Sequence, residues 1–116
     1  MQAPKELLRV RISHAGQTAL GPGKVALLQA IAECGSISAA AKQMQMSYRR
    51  AWELVDVMNR CFDLPVVVST TGGPHGGGAQ VTVFGQQLMA AYQQILLKTA
   101  LAATQELETI RKHLKP

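Results

Sequence analysis

Apolar residues recur at the spacing of a helix in three consecutive segments between positions 22 and 62. In each segment one face carries apolar side chains at i, i+3 and i+4, which predicts three amphipathic helices. Pro22 suits the first turn of the first helix, because its missing N–H would have no partner there. Gly35 predicts the end of that helix, and Ser36 or Ser38 can cap the start of the second.

The second and third predicted helices are joined very closely. Small side chains at 39–41 let another helix approach the second one, and Ser47 predicts the N-cap of the third. Two helices joined by a tight turn, with small residues where they cross, are typical of a helix-turn-helix.

Strand-like patterns flank these helices. Residues 7–14 alternate between apolar and polar, which predicts one half-buried strand, and residues 15–23 are predicted to be loop. Residues 65–71 and 79–84 predict two further strands, rich in β-branched side chains. The segment 72–78 contains five glycines and must turn between them. A helix-turn-helix followed by such a hairpin predicts a winged helix, a mainly α fold of the α+β class.

The rest of the chain predicts one long helix, from Thr82 or Gly85 to about His113. Its distal half repeats apolar residues at alternating steps of four and three, as in a coiled coil. These residues are Leu96, Ala100, Ala103, Leu107, Ile110 and Leu114. Thirty helical residues span ~45 Å, so the seam should project from the domain, and a second copy of the chain is its simplest cover. We therefore divide the chain into a winged helix, 1–83, and a dimerisation helix, 84–116, within one compact unit.

Composition is consistent with a folded domain in the cytoplasm. The 116 residues are 47% hydrophobic and 16% charged, with a net charge of +5. A mildly basic balance suits a polyanionic partner but does not require one. Charged residues interrupt the N-terminal segment, so a signal peptide is not expected, and no apolar run approaches the ~20 residues that span a bilayer. Cys34 and Cys61 form no paired motif, so buried thiols are expected.

Enzymatic motifs are missing from the sequence. The glycine-rich segment lacks the Lys-Ser/Thr pair of a phosphate-binding P-loop. His14, His75 and His113 are dispersed, with no carboxylate or Cys at metal-ligand spacing. We therefore expect neither enzyme activity nor a cofactor or metal.

Charge is distributed unevenly along the third predicted helix. Arg49 and Arg50 lie at its start and can contact guanine edges or phosphate, although Arg49 can instead pair with Glu53 one turn on. Tyr48 can bond a phosphate or touch a thymine methyl. Because Glu53 and Asp56 would repel phosphate, contact with DNA is expected only at the first turns, the end that helix-turn-helix proteins use.

Other side chains near this turn are weaker candidates for DNA contact. Ser47 can reach a phosphate in addition to capping the helix, and Lys42 ends the preceding helix as a potential phosphate ligand. Ser38, in the second predicted helix, is a further candidate for DNA contact. Trp52 is predicted to pack beneath the turn, with DNA contact as the alternative.

Three runs of this sequence resemble one known family. Gly-Ser-Ile-Ser-Ala-Ala-Ala-Lys at 35–42, Met-Ser-Tyr-Arg-Arg-Ala-Trp at 46–52 and the Gly-Gly-x-x-Gly-Gly-Gly pattern at 72–78 are similar to the N-terminal domain of ModE, the molybdate-responsive transcriptional regulators. The resemblance covers nearly the whole chain.

The resemblance implies a dimeric winged-helix protein that binds DNA. It implies that Ser47, Tyr48 and Arg49 lie at the DNA and that the wing meets the backbone or minor groove. The wing carries no Lys or Arg, so its contacts would come from His75 and from backbone N–H groups such as those of Gly76 and Gly77. Family members that sense molybdate carry additional C-terminal oxyanion-binding domains, so a stand-alone relative without direct molybdate control is expected.

The leading hypothesis is a sequence-specific regulator that binds double-stranded DNA as a homodimer, with its recognition helix in the major groove. One alternative is a winged-helix module that recruits another protein through its distal helix. A second alternative is a regulator that senses molybdate at the N–H groups of 76–78. An unidentified protein or small-molecule effector is compatible with each.

Overall fold

The computed structural model describes residues 7–71 and 77–116, which form five helices and two small antiparallel sheets. This architecture confirms the predicted winged helix of the α+β class. The helices are α1 (Pro22–Cys34), α2 (Ile37–Gln43), α3 (Tyr48–Cys61), α4 (Val83–Ala102) and α5 (Thr104–Arg111). The strands are β1 (Ile12–His14), β2 (Gln17–Leu20), β3 (Val67–Thr70) and β4 (Gly78–Val81).

The first sheet is a hairpin where one strand and a loop were predicted. Strand β1 is shorter than the predicted 7–14, and β2 lies within the predicted loop 15–23. Ala15 and Gly16, at φ 50° and 78°, form the two-residue turn between them. Consecutive positive φ values are typical of a type I′ turn, which Asn-Gly or Asp-Gly usually forms. In the Ala-Gly pair only the glycine favours a positive φ, so the sequence did not indicate a hairpin here. The prediction of a loop was therefore wrong for 17–20.

The helix-turn-helix is built from local caps that the sequence predicted. Gly35 adopts φ 77° and its N–H donates to the Ile31 carbonyl at 2.8 Å, which ends α1. Ser36 Oγ accepts from the Ala39 N–H at 3.0 Å and so caps α2. Ser47 Oγ accepts from the backbone N–H three residues on, also at 3.0 Å, and caps α3. All three predicted helices are confirmed.

The core lies where α1, α2 and α3 meet the base of the second sheet. Ala40 and Ala41 of α2 are buried, and their short side chains allow the neighbouring helices to pack closely. The largest fully buried side chains are Leu27, Leu28, Ile31, Met58, Val66 and Tyr92. Tyr92 Oη donates to the Val10 carbonyl at 2.7 Å, which ties α4 to the N-terminal segment.

Strands β3 and β4 form the wing, in a register that pairs Val67 with Val81 and Thr70 with Gly78. Both predicted strands exist, but their bounds differ from the prediction: Gly78 belongs to β4 although the turn was predicted over 72–78, and Val83 and Phe84 belong to α4. Residues 72–76 of the predicted turn lie outside the described residues. The Ala79 N–H donates to the Gly35 carbonyl at 2.9 Å. A Cβ on Gly78 would lie 2.7 Å from that same carbonyl oxygen, so the wing packs on the α1–α2 turn through bare backbone.

Asn59 of α3 holds the outer edge of β3 through its side-chain amide. Its Oδ1 accepts from the N–H groups of Val66 at 2.8 Å and Val67 at 3.2 Å, and its Nδ2 donates to the Val67 carbonyl at 3.1 Å. The amide therefore bonds the backbone as an additional strand would. This contact sets the position of the wing relative to α3.

The C-terminal segment is two helices, so the predicted continuous helix to His113 is wrong. Helix α4 begins at the N-cap Thr82, whose Oγ1 accepts from the Gly85 N–H at 2.9 Å, and it ends at Ala102. Between the two helices Ala103 has φ −108° and ψ 24°, away from regular helical values, and its carbonyl accepts from the Leu107 N–H at 2.9 Å.

The predicted seam of this segment is also not uniformly bare. Leu96 packs against the core, Ala100 and Leu107 are buried within the single chain, and Ala103 is half-buried at the break. Ile110 and Leu114 are exposed as predicted, and Leu97 and Leu101 are also exposed. The Cα radius of gyration is 16.4 Å, against ~13 Å for a compact domain of this size, so the chain is elongated. Within the described residues, no helix is long and apolar enough to cross a membrane.

Candidate nucleic-acid interface

The first turn of α3 is an exposed basic surface, as the sequence predicted. Tyr48 is 56% exposed, and Ser47, Arg49 and Arg50 are also exposed. Their backbone is held by the Ser47 cap and by the burial of Ala51 directly behind them. The side chains therefore project from a well-anchored turn.

The alternative partner predicted for Arg49 is present. Arg49 Nε donates to Glu53 Oε1 at 3.2 Å, and the arginine side chain is 89% exposed. Two turns beyond Glu53, Arg60 pairs with Asp56 at 3.0 Å. Exposed ion pairs contribute only about 0–1 kcal/mol. The Glu53 contact is therefore too weak to hold Arg49 away from a phosphate or a base.

Arg50 lies on the other flank of α3, near a lysine that the sequence reasoning missed. Burial lowers the pKa of Lys24, and the positive charges of Arg50 and Arg11 lower it further. Lys24 lies at the start of α1 and Arg11 directly before β1, so these three cations come from segments that are distant in the sequence. Their separation in sequence leaves no local pattern that could have revealed the cluster.

Three of the remaining predicted contacts lie within the described residues: Lys42, Ser38 and Gly77. Lys42 is exposed in the last turn of α2. Ser38, Tyr48 and Gly77 line one hollow of about 240 Å³ between α2, α3 and the wing. His75 and Gly76 lie outside the described residues, whereas Gly77 and Gly78, the other two glycines considered for molybdate, are described.

The prediction that Trp52 packs beneath the turn is wrong. Trp52 is 49% exposed and lines the 240 Å³ hollow on one side and a second hollow of about 130 Å³ on the other. It follows Tyr48 by one turn, so the two rings lie on the same flank of α3. The sequence shows that Trp52 follows Tyr48 by four residues, but the exposure of Trp52 depends on where the wing packs.

Among the described residues, no cluster of three His, Cys, Asp or Glu could hold a metal ion. Cys34 and Cys61 are half-buried free thiols, less buried than expected. Cys34 Sγ donates to Gln43 Oε1 at 2.9 Å, which ties the end of α1 to the end of α2.

A winged helix whose third helix exposes a basic first turn is a DNA-binding class of protein. Comparison with known proteins agrees: residues 23–86 match the family described as bacterial regulatory helix-turn-helix protein, lysR family. The chain belongs to this family, and it has the DNA-binding fold of a transcriptional regulator.

Individual relatives confirm the resemblance that the sequence motifs indicated. The chain is 39% identical to the molybdenum transport protein ModE of Azotobacter vinelandii over 82% of this chain and 35% of that protein. It is 49% identical to the molybdenum-pterin-binding protein MopB of Rhodobacter capsulatus over 66% of this chain and 28% of that protein. It is 42% identical to the DNA-binding transcriptional dual regulator ModE of Escherichia coli over 61% of this chain and 27% of that protein. The chain thus matches about a third of the length of these curated relatives.

Proposed function

We propose that this chain reads a specific DNA sequence as a homodimer, with α3 of each protomer in the major groove. The observation that carries the proposal is the exposed first turn of α3, where Tyr48, Arg49 and Arg50 follow the Ser47 cap. Recognition helices contact base edges with their N-terminal residues. No enzymatic step is part of the proposal, and the site of action is the cytoplasm, where bacterial DNA lies.

Selection of bound sequences from a random duplex pool tests the proposal directly. A symmetric reader should enrich an inverted repeat whose half-sites are about one helical turn, ~34 Å, apart. If the dimer neutralises 6–10 phosphates, its affinity should fall about 10³- to 10⁵-fold between 50 and 200 mM salt. Recovery of no preferred sequence, or affinity that ignores salt, would contradict the proposal.

Two arginines of the same helix provide a matched pair of variants. Arg49→Ala should weaken binding to the selected site by ~1–3 kcal/mol, because it removes a base or phosphate contact. Arg60→Ala removes the same charge near the other end of α3 and also breaks one exposed ion pair. Fluorescence anisotropy with a labelled duplex should show the loss for Arg49→Ala only. Equal losses would mean that net charge, and not the position of Arg49, controls binding.

The division into a winged helix, 1–83, and a dimerisation segment, 84–116, belongs to the same proposal. It is supported by exposed apolar side chains beyond the core, in α4 and after it, and by the elongated shape of the chain. These side chains are Leu97, Leu101, Ile110 and Leu114. Burying such a surface between two copies removes it from water.

A charged substitution within this surface tests the dimer. Leu101 is 62% exposed, so Leu101→Asp should leave the fold intact while producing a monomer by size exclusion with light scattering. Leu64→Asp is the matched control, since Leu64 is 51% exposed but lies in the α3–β3 turn. A wild-type monomer, or a Leu101→Asp dimer as stable as wild type, would contradict the proposed interface.

We further propose that the genes under its control are connected with molybdenum. The names of the relatives support this, since they refer to molybdenum transport and molybdenum-pterin binding. Transcript levels in the source bacterium, with and without this gene and with and without molybdate, would test it. Unchanged transcripts of molybdenum-related genes would contradict it.

A further inference from the structure

A cleft separates the recognition helix from the wing, and it is lined by Trp52, which the sequence predicted to be packed beneath the turn. We call it the wing cleft; its volume is about 240 Å³, and its walls include Ser38, Tyr48, Trp52, Ser69, Gly77 and Ala79. Tyr48 and Trp52 form the α3 wall, and Trp52 is 49% exposed. An exposed indole leaves apolar surface in water, so a partner that covers it is favoured.

The chemistry of the wing cleft is polar but uncharged. The rings of Tyr48 and Trp52 form one wall, and the hydroxyls of Ser38 and Ser69 lie on α2 and β3 around them. Among the described residues, no charged side chain lines the cleft. Hydroxyl and N–H donors beside apolar ring surface suit a sugar–phosphate strand, whose phosphates accept hydrogen bonds and whose deoxyribose is largely apolar.

The walls of the wing cleft are held in place by backbone contacts. The Ala79 N–H bonds the Gly35 carbonyl at 2.9 Å, and Gly78 approaches the same carbonyl too closely for a side chain. On the other side, Asn59 joins α3 to β3. A preformed cleft avoids the ordering cost that a flexible one would incur on binding.

The position of the wing cleft follows the geometry of a duplex. A single sugar–phosphate backbone separates the major groove from the adjacent minor groove. If α3 enters the major groove and the wing reaches the next minor groove or its rim, that backbone has to pass between α3 and the wing. The wing cleft occupies this place.

Resting on the DNA-binding function proposed above, we propose that the wing cleft receives the sugar–phosphate backbone of one DNA strand, with Trp52 as its central contact. Trp52 then positions the protein on the duplex without reading bases, because phosphate and sugar contacts carry no sequence information directly. Arg49 and its neighbours supply the sequence preference.

The sequence contains a single tryptophan, so its fluorescence reports on this cleft in the unmodified protein. Acrylamide, a neutral quencher, should reach Trp52 in the free protein. Binding of the selected duplex should lower the quenching constant at least about twofold, because the half-exposed ring becomes covered. As a control, Trp52→Phe combined with Leu64→Trp moves the reporter to the α3–β3 turn, where DNA should not change the quenching.

Affinity measurements separate a backbone contact from a base contact. Trp52→Ala should weaken binding to the selected site and to random duplex alike, each about tenfold, since one hydrogen bond and its apolar contact are lost. The salt dependence of binding should stay the same, because no charge is removed. Trp52→Phe keeps an aromatic ring, smaller than the indole, and loses the N–H, so its affinity should lie between those of wild type and Trp52→Ala. Circular dichroism of each variant verifies the fold.

Three results would overturn the inference, and each one identifies a different step of the reasoning as wrong. Unchanged quenching of Trp52 on DNA would show that the strand passes elsewhere, and this measurement needs no variant to fold. A loss confined to the selected site would make Trp52 a base contact. A wild-type protein that binds no duplex would refute the proposed function itself, whereas the first two results leave it standing.

Discussion

Replacing Asn59 by alanine would remove the amide that joins α3 to the base of the wing. Three hydrogen bonds would be lost, two from the Val66 and Val67 N–H groups and one to the Val67 carbonyl. Val66 and Val67 are buried, so these backbone groups have little access to other partners. The substitution therefore tests whether a side chain on α3 holds the wing in place.

The expected cost follows from these three bonds. At about 0.5–1.5 kcal/mol each, they contribute ~3 kcal/mol together. Water entering the neighbouring 130 Å³ hollow would satisfy some of the groups again, and alanine gains ~0.5 kcal/mol in helix propensity. The free energy of unfolding should fall by ~2 kcal/mol, a large part of the ~6–17 kcal/mol expected for a domain of this length.

Urea unfolding, followed by Trp52 fluorescence and circular dichroism, measures the change. Gln87→Ala is the control, because Gln87 is an exposed amide in α4 with no side-chain hydrogen bond among the described residues. Asn59→Asp keeps the oxygen that accepts two of the three bonds but puts a second carboxylate oxygen opposite the Val67 carbonyl, so it should also destabilise, by ~1 kcal/mol or more. If Asn59→Ala lies within ~0.5 kcal/mol of the Gln87→Ala control, the amide does not hold the wing.

Two other features of the fold give predictions with a clear sign. Gly85→Ala should destabilise by ~1–3 kcal/mol in urea, because its Cβ would lie 2.5 Å from the Val66 carbonyl oxygen. Gly23→Ala, where the Cβ meets nothing within 4 Å, should instead stabilise by ~0.4–1 kcal/mol, and the same sign for both would refute the steric argument. Burial raises the pKa of Tyr92 above its ordinary 10.0. The unfolded state therefore loses this proton first, so stability should fall as the pH rises above about 10. Tyr92→Phe should cost ~1 kcal/mol at neutral pH and make that alkaline loss shallower; an unchanged loss would place its origin elsewhere.

Short-range signals explain which parts of the fold were predictable. Gly35, Ser36 and Ser47 act on backbone groups only three or four residues away, and all three helix boundaries that they set are confirmed. The break after Ala102 has no such signal. Thr104 Oγ1 bonds the carbonyls of Ala100 and Leu101, but Thr99 makes bonds of the same kind inside the unbroken α4. The apolar spacing also continues through the break, so it predicted a single helix.

Contacts between distant segments explain what the sequence pattern missed. Lys24 and Arg50 come together only because α1 packs beside α3. Asn59 reads as an ordinary polar residue on a helix flank until β3 lies against it. Trp52 has a large, mostly apolar side chain of the kind that often packs in a core, and the position of the wing leaves about half of it exposed.

Helix periodicity, caps and glycine punctuation were enough to establish the winged helix and the basic first turn of α3, because these depend on neighbours in the chain. They did not determine which side chains line the cleft between α3 and the wing, or which apolar residues of α4 and α5 remain exposed. Those features depend on how separate elements pack, and packing buries Ala100 and Leu107 while leaving Leu101 in water. A one-dimensional pattern records the spacing of apolar residues but not the surface that covers them.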